Sequence, residues 1–334
     1  MKINFLALIL YMLSSFYSQA QNIEEFICPN SGNSFRGISA LSDSSVWVSS
    51  NQGQVWYFQL GRGWENRSPK NYETIQWRDI EAFNDSTALI LSAGSPGLVL
   101  RTEDYGRTWV EAYRDDDPKI FFDAMDFWDT KRGVAFADAQ DVHLGMIETK
   151  DGGRTWSKKD TSGSLLVWPQ QGGFAASGTC IHCYGDSSWA LVLGGKEALF
   201  KFEDHQSKEE GLNGLKIPFM DFGAPSKGAF SLDFKSADTL IVVGGDYRAD
   251  SLSEQSIAIS YDGGQSWKAP DFPSELKSRY WSCVQWQGNQ IILCSRFGTA
   301  ISNDNGKSWE VLKNGFYSVD GLWFSGPDGL IGRL

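Results

Sequence analysis

Histidine is scarce, with three in 334 residues, and none stands in the His-Glu-x-x-His pattern of a zinc helix. There is no dinucleotide-binding glycine loop after a strand, no Gly-x-x-x-x-Gly-Lys-Ser/Thr phosphate loop and no Gly-x-Ser-x-Gly nucleophile elbow. These absences remove the commonest routes to metal hydrolysis, nucleotide chemistry and serine hydrolysis, so no catalytic residue, metal or cofactor is expected. Positive charge is short too. With 30 Lys and Arg against 41 Asp and Glu the net charge is −11, which argues against nucleic acid or anionic lipid as partner and is what a soluble protein outside the cell would carry.

Long apolar runs are absent after the first twenty residues, so stable membrane insertion is not expected. The first twenty read as an export signal. Lys2 precedes an apolar stretch from Phe5 to Phe16, and Ser18-Gln19-Ala20 offers a small-x-small cleavage site. The expected division is a signal peptide at 1–20 and one domain at 21–334, destined for a periplasm or the outside.

Cysteine is sparse and odd in number, five in all, so at least one thiol is unpaired within the chain. Cys283 and Cys294 fall opposite each other if Gln287 to Gln290 forms a hairpin turn, which leaves two readings: a cross-strand disulfide, or two buried thiols packed as small apolar groups. Cys180-Ile181-His182-Cys183 has the look of a redox or metal motif. A strand would point Cys180 and Cys183 to opposite faces, and no second Cys/His pair lies nearby, so the motif is discounted.

What the chain has in plenty is glycine (35) and aromatic residues (14%), the balance of an all-β protein with many turns. Four stretches repeat one phrase, Ser/Thr-x-Asp-x-Gly-x-Ser/Thr-Trp. They are centred on Asp104, Gly106 and Trp109; Asp151, Gly153 and Trp156; Asp262, Gly264 and Trp267; and Asp304, Gly306 and Trp309. The phrase describes a tight hairpin: Asp accepts backbone N–H bonds within the turn, Gly takes positive φ, and Trp packs beneath. One Asp per turn falls far short of the roughly six to eight oxygens that calcium takes, so the phrases read as structural staples.

The spacing between these tryptophans is that of a propeller blade, with the gap from Trp156 to Trp267 holding two units. Upstream of each hairpin position lies a strand–turn–strand element, and ahead of that a short inner strand. Seven inner strands are visible, starting at Phe35, Trp77, Phe122, Ala176, Phe230, Trp281 and Phe316. The last copy ends after three strands, and Ile23 to Ile27 can supply the missing outer one. The expected fold is therefore an all-β, seven-bladed β-propeller closed by an N-terminal strand.

The phrases, together with Phe35-Arg36-Gly37-Ile38, Trp77-Arg78-Asp79-Ile80 and Gly244-Gly245-Asp246-Tyr247, resemble the BNR/Asp-box repeat propellers, and within them the photosystem II stability/assembly factor-like family. That resemblance implies a non-enzymatic helper of protein assembly.

Strand alternation puts the Asp hairpins on one face and the channel mouth on the other. The charged and aromatic residues expected at that mouth are Arg36, Arg78, Asp79, Asp123, Asp138, Asp246, Tyr247, Arg248, Arg279 and Tyr280. They suit a protein segment or a polar small ligand, with Arg forks gripping carboxylates. The competing reading is that they satisfy one another as interblade salt bridges. Three functions stand: a monomeric binding or assembly module, an exo-glycosidase of sialidase type using Arg, Asp and Tyr, and a redox protein resting on Cys180 and Cys183.

Overall fold

A computed structural model describes residues 22–29, 32–139, 142–160, 167, 171–203, 214–218, 220, 223–249, 255–277, 279–312 and 315–334. The signal expected at 1–20 lies outside them, as do residues 204–210 of a polar run in the fourth blade.

Seven separate antiparallel sheets follow one another along the chain, the arrangement of a seven-bladed β-propeller. Blade 1 runs from Phe35–Ser42 to Gly63–Asn66, blade 2 from Gln76–Ala82 to Val110–Asp115 and blade 3 from Phe122–Phe127 to Ser157–Lys158. Blade 4 runs from Ile181–Tyr184 to Leu215–Lys216, blade 5 from Lys227–Ser236 to Ile257–Ser260 and blade 6 from Cys283–Gln287 to Glu310–Leu312. Blade 7 comprises Ser318–Asp320, Trp323–Ser325 and Leu330–Arg333, and Glu24–Ile27 completes it by pairing antiparallel with Leu330–Arg333. Phe26 anchors this closure, its ring 4.6 Å from Phe58 of blade 1.

Second and third strands are buried almost throughout, because each sheet is covered on both faces by its neighbours. Ser45–Ser50, Leu98 to Leu100 and Ser188–Leu193 are buried at every position. Blade 5 has three full strands. Its fourth is reduced to a single bridge between Ile259 and Lys268, since Pro270 and Pro273 follow at once and have no N–H for a ladder.

The four Asp hairpins share one geometry. In the first, Asp104 accepts the Thr108 N–H at 2.8 Å and its hydroxyl at 2.7 Å, while Thr102 Oγ1 donates to Asp104 and accepts the Gly106 N–H at 3.0 Å. Asp151, Asp262 and Asp304 repeat these bonds with Thr155, Ser266 and Ser308. Each phrase glycine sits against the preceding blade: a Cβ on Gly153 would lie 2.1 Å from Leu89 Cδ2 and one on Gly264 2.3 Å from the Phe200 ring. The hairpins are thus interblade clasps. The tryptophans depart from expectation, because only Trp267 is buried, at 7% exposed; Trp109, Trp156 and Trp309 remain half-buried.

Of the two readings left open for Cys283 and Cys294 the structure has the second, buried free thiols, and one strand expectation is corrected. Cys283 and Cys294 are register partners, yet both thiols are free. The Cys283 sulfur meets Thr179, Ser318 and the Val319 carbonyl. In blade 4 the inner strand is Ile181–Tyr184, and the segment 172–179, which holds the Ala176 start read as strand, leaves the sheet and crosses the channel.

Candidate functional site

The crossing segment is built from Gly172, Gly173, Phe174, Ala175, Ala176, Ser177, Gly178 and Thr179. Its small side chains let it touch nearly the whole ring. Ser177 Oγ donates to the Ser282 carbonyl of blade 6 at 2.9 Å, and the Ser177 carbonyl accepts from Ser318 Oγ of blade 7 at 3.1 Å. Thr179 meets Ser231 of blade 5 at 2.7 Å, and Arg78 Nη1 of blade 2 donates to the Ala175 carbonyl at 3.2 Å. Gly178, at φ +77°, has no room for a side chain, since a Cβ would lie 2.2 Å from Asp79 Oδ1. The segment splits the channel into an upper cup and a lower chamber.

The upper cup has a volume of about 440 Å³ and is floored by Phe174, which stacks on Phe230 at 3.8 Å. Three arginines line it: Arg36 from blade 1, Arg78 from blade 2 and Arg296 from the second-to-third turn of blade 6. Arg36 lies flat on the Tyr317 ring, 3.6 Å from its centroid. Gln76 Oε1 accepts from Arg78, and the Tyr247 carbonyl from Arg296. Among the described residues no carboxylate forms an ion pair with any of the three. Burial lowers the Arg36 guanidinium from its ordinary value. It takes Arg78 down to about 10, with the charge of Arg36 adding to the effect. Three guanidinium groups are thus held together in a partly dry space with one carboxyl, Asp138, in the same lining and no ion pair to any of them among the described residues, an arrangement chemically suited to an anion. Phe121, Tyr247 and Phe297 stand exposed on the same face.

Of the ten residues expected at the mouth, the cup brings together Arg36, Arg78, Asp138, Tyr247 and Tyr280. The other five are elsewhere. Asp79 lies beneath the crossing segment, because Met125 N–H and Ile80 N–H draw its carboxylate into the ring wall. Asp123 is wholly buried behind Asp138. Asp246 accepts the Arg248 N–H and shapes its own turn, Arg248 stacks on Tyr247 outside the cup, and Arg279 lies against Gly298. The salt-bridge reading of the rim does not hold for Arg36 and Arg78.

Arg296 and Tyr317 were not among the expected residues. Tyr317 occupies the position after the leading aromatic of its inner strand, as Arg36 and Arg78 do in theirs, so aligning the repeats would have revealed it. Arg296 stands in a turn of variable length, for which the repeat gives no register.

The lower chamber, about 260 Å³, is acidic: Asp79, Glu81, Asp126, Asp233 and Asp320 line it with His182. Four of these carboxylates bridge to the neighbouring blade through a backbone N–H, namely Asp79 to Met125, Asp126 to Cys183, Asp233 to Trp286 and Asp320 to Ala40. Burial pushes Asp79 up to about 7 and Asp320 up to about 6. The chamber is interblade stitching. No group of three or more His, Cys, Asp or Glu suited to a metal occurs among the described residues. Cys180 and Cys183, the basis of a redox reading, are both held far from thiolate by burial.

Fold and cup together define a seven-bladed propeller with a blind, arginine-lined, aromatic-floored cavity on the face opposite its Asp hairpins. No protein-family model matches the sequence, and no curated protein is significantly similar to it. Among solved structures the chain is similar to YCF48 bound to a D1 peptide, with a TM-score of 0.66 and 13% identity over 94% of this chain and 95% of that one. It is similar also to YCF48 from Cyanidioschyzon merolae, with a TM-score of 0.64 and 13% identity over 93% and 98% of the two chains. A catalytically inactive His-to-Ala virginiamycin B lyase from Staphylococcus aureus with quinupristin gives 0.65 and 14% over 93% and 98%. At such identities the likeness is one of fold.

Proposed function

We propose that the chain is an exported, non-enzymatic binding module of assembly-factor type that grips an anionic protein segment in the upper cup. The observation that carries this reading is the set of Arg36, Arg78 and Arg296, unpaired with any described carboxylate in a protein of net charge −11. A carboxylate entering the cup gives the three arginines an ion-pair partner and takes bidentate guanidinium bonds, while Phe174 and Tyr280 offer aromatic surface to a neighbouring side chain. Peptide binding by a propeller of this shape has a precedent in the YCF48 structure that holds a D1 peptide. The module acts as a monomer, without nucleic acid and without inserting in a membrane.

The test is recovery of partners from intact envelope on the immobilised mature protein. A partner retained by the native chain and lost from the Arg36→Ala/Arg78→Ala double variant supports the reading; identical recovery on both counts against it.

A glycosidase of sialidase type is a second reading, favoured by the three arginines beside Tyr280 and Asp138. It requires a Glu to activate the tyrosine. Among the described residues no Glu lines the cup, and burial pushes the Tyr280 hydroxyl up to about 12, away from the phenolate. Release of fluorophore from a sialoside, abolished by Tyr280→Phe, would revive it. Lyase chemistry of the kind a histidine substitution inactivates finds no counterpart among the described residues of the cup, which neither His143 nor His182 lines.

A further inference from the structure

Asp138 and Asp123 form a carboxyl pair in the wall of the cup. Asp123 is 0% exposed and neither of its oxygens completes a hydrogen bond, although the Gly173 N–H lies close enough to favour its charged form slightly. Its partner is the Asp138 side chain, and Asp138 Oδ1 in turn accepts the Gly173 N–H of the crossing segment at 3.0 Å. The contact is close on every side. A Cβ on Gly172 would lie 1.8 Å from Asp138 Oδ1, and one on Gly173 2.6 Å from Asp123 Cγ. Two carboxyls packed in this way do not both ionise readily, so the pair retains a proton, and of the two only Asp138 lines the cup.

We infer that this pair is a proton gate: the cup holds an anionic group more tightly when the pair carries two protons than when it carries one. The inference rests on the reading of the cup as an anion receptor. With one proton the pair places a negative charge in the same cavity as Arg36, Arg78 and Arg296, where it competes with the ligand for their field. With two it is neutral, and the arginines face the ligand alone. Burial first, and for Asp123 the neighbouring Asp138 as well, pushes both acids upward, Asp138 to about 6, which puts the second protonation within reach of a mildly acidic compartment.

Other titratable groups face the pair from behind. Cys180 of blade 4 interacts with Asp123 and stays a neutral thiol. A groove on the outer side of Asp138 holds His143 together with Tyr113, Asp115, Lys158 and Lys159. Of these only His143 is of a type that changes charge between pH 5 and 8, so it is the group to be excluded.

The experiment is calorimetric titration of the mature protein with N-acetylglycylphenylalanine, whose carboxylate stays ionised from pH 5 to 8, alongside the same dipeptide as its C-terminal amide. The carboxylate probe is expected to bind on the order of tenfold tighter at pH 5 than at pH 8, the effect of removing one like charge from the cavity. Asp138→Asn, which keeps an acceptor for Gly173 and a donor for Asp123, is expected to bind at the acid-side affinity at every pH. His143→Gln is expected to keep the native profile. A flat native profile, a slope that survives in Asp138→Asn, or a slope lost in His143→Gln overturns the gate while leaving anion binding intact. Equal binding of the amide, or no binding at any pH, overturns the anion receptor and the gate with it.

Discussion

Asp320 Oδ2 accepts the backbone N–H of Ala40 at 2.7 Å, a bond that joins the last blade to the first across 280 residues of chain. The same bond recurs from Asp79, Asp126 and Asp233 to the blades that follow them. Inner strands lie too close to the axis for large apolar side chains to separate them, so the ring is closed there by carboxylates and serines.

This stitching makes stability depend on pH. Asp79 rises to about 7 and Asp320 to about 6 because folding buries them. A carboxyl raised by folding holds its proton more firmly in the native state. It therefore supports that state fully below its ordinary value, and the support is lost as pH climbs through 6 and 7. The hairpin acids act oppositely: hydrogen bonds from Ser308 take Asp304 down to about 2, so its support is present above the ordinary value and lost as pH falls toward 2. The melting temperature is expected to peak near about pH 4 to 5 and to fall by on the order of 5 °C by pH 8. Calorimetry across that range checks it, and Asp79→Asn should flatten the alkaline side.

Closure by the N-terminal strand gives a second expectation. A chain beginning after Pro29 loses the Phe26 contacts with Phe58 and Trp323, and the buried Cys28, and leaves Leu330–Arg333 as an open edge. Its melting temperature should drop by about 10 °C or more, with a greater tendency to aggregate. Phe26→Ala, which keeps the strand, should cost about 2 kcal/mol, below the usual range for a fully buried Phe because the ring is half exposed.

The crossing segment can be probed at Gly178. Gly178→Ala places a methyl group 2.2 Å from Asp79 Oδ1 at a φ that disfavours side chains. A loss of about 2–3 kcal/mol is expected in urea unfolding. The Gly178→Ala/Asp79→Gly double variant should recover part of it, because the clash goes with the carboxylate. No recovery would mean that the backbone conformation, and not the contact, sets the cost.

The fold was legible because the phrase Ser/Thr-x-Asp-x-Gly-x-Ser/Thr-Trp constrains backbone conformation locally and its four copies show the period, while the seven inner strands supply the blade count. The site was half legible. Arg36 and Arg78 stand at equivalent repeat positions and were found, whereas Asp79, one residue on, was wrongly expected beside Arg78. A strand sends neighbouring side chains to opposite faces, and bulges between Phe35 and Gly37 and between Trp77 and Asp79 then shift which residues reach the channel. The crossing segment was read as a strand because its small residues suit both roles. What distinguishes them is contact with five other blades, which no local pattern carries.

The hairpin tryptophans provide a final expectation, in which equal motifs have unequal weight. Trp267 is 7% exposed and lies edge-on to Phe200, 5.4 Å away. Trp156 makes a similar contact with Phe127 at 5.8 Å, yet its side chain is only partly buried. Trp267→Ala should therefore cost about 3–5 kcal/mol, and Trp156→Ala about half as much, since less apolar surface returns to water. Their hairpin bonds from Asp262 and Asp151 are alike, so a difference measured by chemical denaturation reports packing alone. Equal losses would show that the clasp acts through the Asp turn, with the indole secondary.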